Sequence, residues 1–221
     1  MSKPRLGVFG SGSETGGGSG LQWLAMNIQT GKLDAEPVVA VSHHEHGGVR
    51  KHADAFGIPF AHMQKPFSAE AYQAVVKKYG IEWISLSGWL KLVRGLPPER
   101  TINIHPGRLP DFGGKGMHGH HVHEAVLDAF QRGEISESAV TMHFVTDEYD
   151  RGPIFFEYPV KLLPGDTADD IGARVNRVEH GWQSYITNLV IHGEIALENG
   201  NVRVPTWYTH LPKNHVPEGS R

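Results

Sequence analysis

The stretch RLGVFGSGSETGGGSGLQWLAMNIQTG, Arg5 to Gly31, decides the fold. RLGVFG is a short apolar run and reads as a buried strand. In LQWLAMNIQTG, Leu21, Leu24, Ala25 and Ile28 recur at helical spacing and form one face. A strand, a glycine-rich loop and a helix in that order open a βαβ unit. Glycines at such a junction let backbone N–H groups approach an anion, and the helix dipole assists. The first anion to test is a dinucleotide. The spacing Gly10, Gly12, Gly16 is G-x-G-x-x-x-G rather than G-x-G-x-x-G. The next strand, Pro37 to Ser42, runs into His43 and His44 with no acid for a ribose hydroxyl. The loop therefore suits a phosphate-bearing substrate better than a nicotinamide dinucleotide.

Outward from this unit the alternation continues. Strands are predicted at Ile58–Met63, Ile81–Gly88 and Thr101–His105, and helices at Gly48–Phe56, after the N-cap Ser68, and at Gly119–Arg132. Ala139–Val145 and Pro153–Val160 read as a strand pair around the turn DEYDRG. Thr167, with Asp170 in the capping-box position, opens a helix to about Val190. The predicted fold is α/β: a Rossmann-like, doubly wound, mostly parallel sheet with antiparallel edge strands. It forms one domain over residues 1–205, with an irregular tail over 206–221.

Composition narrows the function. Hydrophobic residues make up 39% of the chain and charged residues 20%, enough for a core and ordinary for a water-exposed domain. A net charge of −3 gives no electrostatic footprint for nucleic acid. The absence of cysteine excludes disulfides, thiolate catalysis and cysteine-ligated zinc. No stretch approaches the ~20 apolar residues of a membrane helix, and the N-terminus lacks a secretory pattern. The expectation is a cytoplasmic protein acting on small molecules, without nucleic acid or membrane partners, as a monomer or homodimer. Histidine is abundant, with 15 residues. His118, His120, His121 and His123 lack the carboxylate pattern that completes a ligand set, so no metal is expected. His43, His44 and His46 either approach the ligand or lie in solvent, with solvent the default, and His143 is assigned a structural role.

TINIHPGRLPDF, Thr101 to Phe112, carries the chemistry. Side chains alternate along a strand, so Ile102 and Ile104 face one side while Asn103 and His105 share the other. Pro106 ends the strand, and ligands of open α/β sheets bind at the carboxyl ends of strands. An amide donor beside an imidazole suits a carbonyl electrophile whose oxygen becomes negative. A carboxylate near His105 would orient it. Asp147, Glu148 and Asp150 are available in the DEYDRG turn, and Asp147 reads as a backbone cap. Spacing does not choose between Glu148 and Asp150.

NIHPGRLPDF, HFVTDEYDRGPIFF and GDTADDIGARVNRVEH together resemble the signature blocks of the folate-dependent formyltransferases, over roughly residues 5–205. The resemblance implies that Asn103, His105 and Asp150 are the catalytic residues. It implies that Gly10, Ser11, Gly12 and Ser13 hold a ribotide phosphate and that Glu179 contacts the ribotide. Trp89, Leu90, Lys91 and Leu92, with Val145, Thr146 and Tyr149, then wall a folate pocket. The implied cosubstrate is 10-formyltetrahydrofolate, and the implied acceptor is the amine of glycinamide ribonucleotide. An amino sugar nucleotide is the alternative acceptor, and a noncatalytic binding module the alternative class. At this length the resemblance leads to the expectation of neither the further C-terminal domain of the methionyl-tRNA branch nor the N-terminal regulatory domain usual in the deformylases. Glu14 stands where the family commonly has Asn, Lys91 where it has Arg, and FGGKGMHGHHVHEAV is longer than the usual loop.

Overall fold

The computed structural model describes residues 2–212. Its strands are β1 (Arg5–Phe9), β2 (Glu36–Ser42), β3 (Phe60–His62), β4 (Trp83–Ser87), β5 (Thr101–His105), β6 (Glu137–Phe144) and β7 (Ile154–Lys161). They form one sheet in the order β3-β2-β1-β4-β5-β6-β7. β1 to β5 are parallel, whereas β6 runs antiparallel to both β5 and β7. The helices are α1 (Ser19–Gln29), α2 (Gly48–Phe56), α3 (Ala69–Tyr79), α4 (His120–Gln131) and α5 (Ala168–Ile191). A hairpin, β8 (Ala196–Glu198) and β9 (Asn201–Arg203), follows. Among the described residues no helix is long and apolar enough to cross a membrane.

The helices cover both faces of the sheet. Leu21 and Leu24 of α1, Val122 and Val126 of α4, and Ile171, Val175 and Ile186 of α5 join one core with Ile102 and Ile104. Tyr72 of α3 packs with Phe9, Val39, Ile84 and Trp89 in a second core. The strand order reverses between β1 and β4, which opens a crevice at their carboxyl ends.

Local chemistry sets the element ends. Ser68 Oγ accepts from the Ala71 N–H, and Gly80 closes α3 in the left-handed conformation. At α5 the capping box forms in full: the Asp170 N–H donates to Thr167 Oγ1 at 3.2 Å, and the Thr167 N–H donates to the Asp170 carboxylate at 3.0 Å. A Thr167→Ala variant should lose about 1 kcal/mol of stability, read as a lower urea midpoint at unchanged slope. The β8–β9 hairpin is not among the sequence expectations. Its turn is Asn199-Gly200, with φ of 53° and 82°, the Asn-Gly signal of a tight hairpin. The expected tail over 206–221 carries no helix or strand up to residue 212, and its remainder lies outside the described residues.

Candidate active site

A cavity of about 920 Å³ lies at the carboxyl ends of β1, β4 and β5. Gly12, Ser13, Gly88, Leu90 and residues 103–106 line its sheet side. α5, the segment Gly114–Gly119 and the start of α4 enclose it.

At the end of β5 the expected pair is present. The side chain of His105 is 4% exposed. Its Nε2 lies 2.7 Å from the Phe112 carbonyl. A carbonyl only accepts, so Nε2 carries the proton and Nδ1 is left toward Asp150, whose Oδ1 is 3.7 Å away. That distance is too long for a hydrogen bond and suits an ion pair once the ring is protonated. Burial, only partly opposed by Asp150 and the Phe112 carbonyl, holds the His105 pKa below the usual imidazole value.

Asn103 meets a partner that sequence reading assigned to structure alone. Its Nδ2 is 3.1 Å from His143 Nε2, on the neighbouring strand β6. His143 gives its Nδ1–H to the Phe144 carbonyl at 2.9 Å, so Nε2 is free to accept one amide proton of Asn103. The second amide proton faces Asp150 Oδ1 at only 3.5 Å, the outer limit of a hydrogen bond, and is available to an incoming oxygen. His143 therefore belongs to the site as the residue that orients Asn103. The signal for it was its position directly opposite Asn103 in the β5–β6 register.

The structure also chooses among the three acids. Glu148 is exposed. Asp147 accepts from the Gly95 N–H at 3.3 Å, the capping role expected of it. Asp150 turns inward with a left-handed φ of 54° and accepts from the Gly114 N–H at 2.9 Å. Gly152 makes the turn possible, because a Cβ there would collide with the Phe144 carbonyl. Burial alone would raise the Asp150 pKa. The His143 and His105 rings, whenever they carry a proton toward it, and the Gly114 N–H outweigh it and hold the carboxyl below the usual carboxylate range.

Helix α5 supplies the opposite wall. Gly172, Asn176, Glu179 and Gln183 line the cavity at spacings of four, three and four, one face of a helix. The Glu179 carboxyl is pushed up to about 7 by burial, partly offset by the Asn176 amide 3.4 Å away. His180 also lines the cavity and stacks on Trp23, with ring centroids 5.1 Å apart. Asn176 and Gln183 escaped sequence reading, although polar residues in register with Glu179 on an otherwise core-facing helix were a usable signal.

The glycine loop needs a correction. Gly12 and Ser13 line the cavity, whereas Gly10 and Ser11 do not. Ser11 is 1% exposed and held by three hydrogen bonds: its Oγ accepts from the Leu90 N–H, its carbonyl accepts from Ser42 Oγ, and its N–H donates to the Gly88 carbonyl. Ser11 ties β1 to β4 instead of facing a ligand. The residues that do line the cavity lie further along, at Gly17 to Gly20, where α1 starts without a side-chain cap. Glu14 is exposed and does not line the cavity, so it does not oppose an anion there.

The expected folate wall is only partly in place. Trp89, Leu90 and Tyr149 line the cavity; Lys91, Leu92, Val145 and Thr146 do not. The Lys91 ammonium lies over the Phe67 ring at 5.8 Å, and the Leu92 carbonyl accepts from the Tyr72 hydroxyl. Val145 packs in the second core, and the Thr146 hydroxyl turns to the Glu148 carbonyl at 3.5 Å. His43, expected in solvent, instead packs edge-on against Phe67 and Trp89, and burial followed by the Lys91 charge pushes its pKa down to about 4. His120 and His121 are exposed beside Glu124, and among the described residues no group of three or more His, Cys, Asp or Glu is placed to hold a metal ion.

Residues 8–189 match the formyl transferase family model. The chloroplastic phosphoribosylglycinamide formyltransferase of Arabidopsis thaliana is 34% identical over 189 residues, which cover 80% of this chain and 62% of that protein. This chain thus spans about three fifths of the plant relative's length. The phosphoribosylglycinamide formyltransferase of Bacillus subtilis is 29% identical over 188 residues, covering 80% of this chain and 90% of that one. The crystal structure of glycinamide ribonucleotide transformylase 1 from Symbiobacterium toebii superposes with a TM-score of 0.77 at 30% identity, covering 92% of this chain and 94% of its own. With that match running through the glycine loop, the β5 end and α5, the chain belongs to the formyl transferase family.

Proposed function

We propose that this protein transfers the formyl group of 10-formyltetrahydrofolate to the amine of glycinamide ribonucleotide, a step of de novo purine biosynthesis. The reading rests on one observation above the others. Asn103, His105 and Asp150 converge on one cavity with the uncapped start of α1, so a reacting centre and an anion site face the same space. The Arabidopsis and Bacillus relatives carry the corresponding name. Glu14 is exposed and lies outside the cavity lining, so its charge is not set against a ribotide phosphate. Residues 1–205 act as a single formyltransferase domain, in the cytoplasm, as a monomer or homodimer.

The acceptor amine attacks the formyl carbon. The free amide proton of Asn103 donates to the developing oxyanion. His105, neutral by burial, takes a proton from the new C–N nitrogen at Nδ1, directly or through one water. The resulting imidazolium faces the Asp150 carboxylate and returns the proton to N10 of the folate as the C–N10 bond breaks. His105 can help hold the oxyanion only after it gains that proton, because its Nε2–H is committed to Phe112.

The test is an assay of purified protein with 10-formyltetrahydrofolate and a set of amines, with products identified by mass. Formylated ribotide is expected. Faster turnover of a nucleotide-sugar amine would replace the acceptor, and ligand binding without any formylated product would support a binding module instead.

A further inference from the structure

We propose that His123 is an acceptor-binding residue, whose Nε2–H donates a hydrogen bond to an oxygen close to the reacting amine, such as the carbonyl of a glycinamide. This rests on the reading that the cavity receives an amine acceptor. His123 lies in the first turn of α4, lines the cavity and is 9% exposed. Its Nδ1 is enclosed without a hydrogen-bond partner. An enclosed lone pair is tolerated more readily than an enclosed N–H, so the proton belongs on Nε2.

A second observation comes from the opposite wall. Gly172 sits inside α5, where glycine weakens a helix relative to alanine. A Cβ at that position would fall 2.8 Å from Cδ2 and 3.2 Å from Nε2 of His123. Gly172 thus leaves room for this ring at the reacting end of the α5 stripe. The ring differs from its neighbours in sequence. His120 pairs at the surface with Glu124 and Asp169, and His121 with Glu124. Burial, reinforced by nearby His120 and His105 and opposed by Asp169, holds the His123 pKa low, which leaves a neutral donor.

Three variants test this by steady-state kinetics with whichever amine the wild-type enzyme formylates. His123→Ala should raise the acceptor KM about tenfold, the effect of one lost hydrogen bond, with the folate KM and the pH profile of kcat unchanged. His123→Gln, which keeps a donor, should recover most of that loss. Gly172→Ala should push the ring aside and raise the acceptor KM as well, with only a small change in Tm because alanine's helix preference offsets part of the crowding. An unchanged acceptor KM in His123→Ala, or equal changes in both KM values, overturns the assignment while leaving the proposed reaction intact. So does a shifted kcat profile, which would make His123 a proton carrier. Turnover of another amine but not the ribotide sinks the proposed acceptor, and His123 is then judged with that amine. A wild-type enzyme that formylates no amine sinks both.

Discussion

His105→Ala should lower kcat by about 10³-fold, with a much smaller change in either KM. The ring is buried and its Nε2–H is spent on Phe112, so Nδ1 is its one working nitrogen. Without it the attacking nitrogen loses the base that takes its proton and passes it to the leaving group, and the intermediate mostly reverts to reactants. A companion variant separates the charge of Asp150 from its shape. Asp150→Asn keeps an acceptor for the Gly114 N–H but removes the carboxylate that opposes the downward shift of His105. The His105 pKa should therefore fall further, and the acid limb of the kcat/KM profile should move to lower pH while the maximal rate drops. Full activity in His105→Ala would remove the ring from the chemistry. An acid limb that stays in place in Asp150→Asn would show that another group sets it.

Much of the fold was legible because hydrophobic periodicity and capping acted locally. Gly48–Phe56 forms as read, and the Ser68 and Thr167 caps bond as their sequence positions imply. Asn103 and His105 were legible for the same reason, since strand alternation alone puts them on one face. What remained hidden depends on partners distant in sequence. Asp150 could not be separated from Glu148 by spacing, because the choice is made by the Gly114 N–H, 36 residues away, and by the room that Gly152 leaves beside Phe144. Ser11 looked like a phosphate ligand and is consumed by contacts to Leu90 and Ser42 that only the β1–β4 and β1–β2 pairings create. His143 was hidden differently: its role exists only through the antiparallel register that sets it across from Asn103.

Glu179→Gln should stabilise the protein at pH 8 and weaken acceptor binding. Burial raises the carboxyl from 4.5 to about 7, so the folded state favours the protonated form. A group raised in this way contributes its full stability below the unfolded pKa and loses it as pH rises through the folded value. A tenfold change in proton affinity between the folded and unfolded chain is worth about 1.4 kcal/mol. Some remaining contact with water reduces the total, leaving about 1–3 kcal/mol to be regained by the neutral amide at pH 8. Near pH 4.5 the two proteins should be equally stable. Urea titrations at the two pH values measure the difference, and a variant no more stable at pH 8 would mean that the carboxyl is not strained. Kinetics should move the other way. Glu179 faces the cavity between Asn176 and Gln183, and in the proposed reaction it would meet the sugar and amide of a ribotide whose phosphate would sit at the start of α1. Loss of one charged hydrogen bond there should raise the acceptor KM about 10- to 100-fold, with the folate KM unchanged. The wild-type acceptor KM should fall as pH rises through 7 and the carboxylate forms, whereas the variant should lack that dependence. A side chain that costs stability and gives binding in the same pH window is kept for its ligand. The opposite pairing, a destabilised variant with normal acceptor KM, would make Glu179 a structural residue.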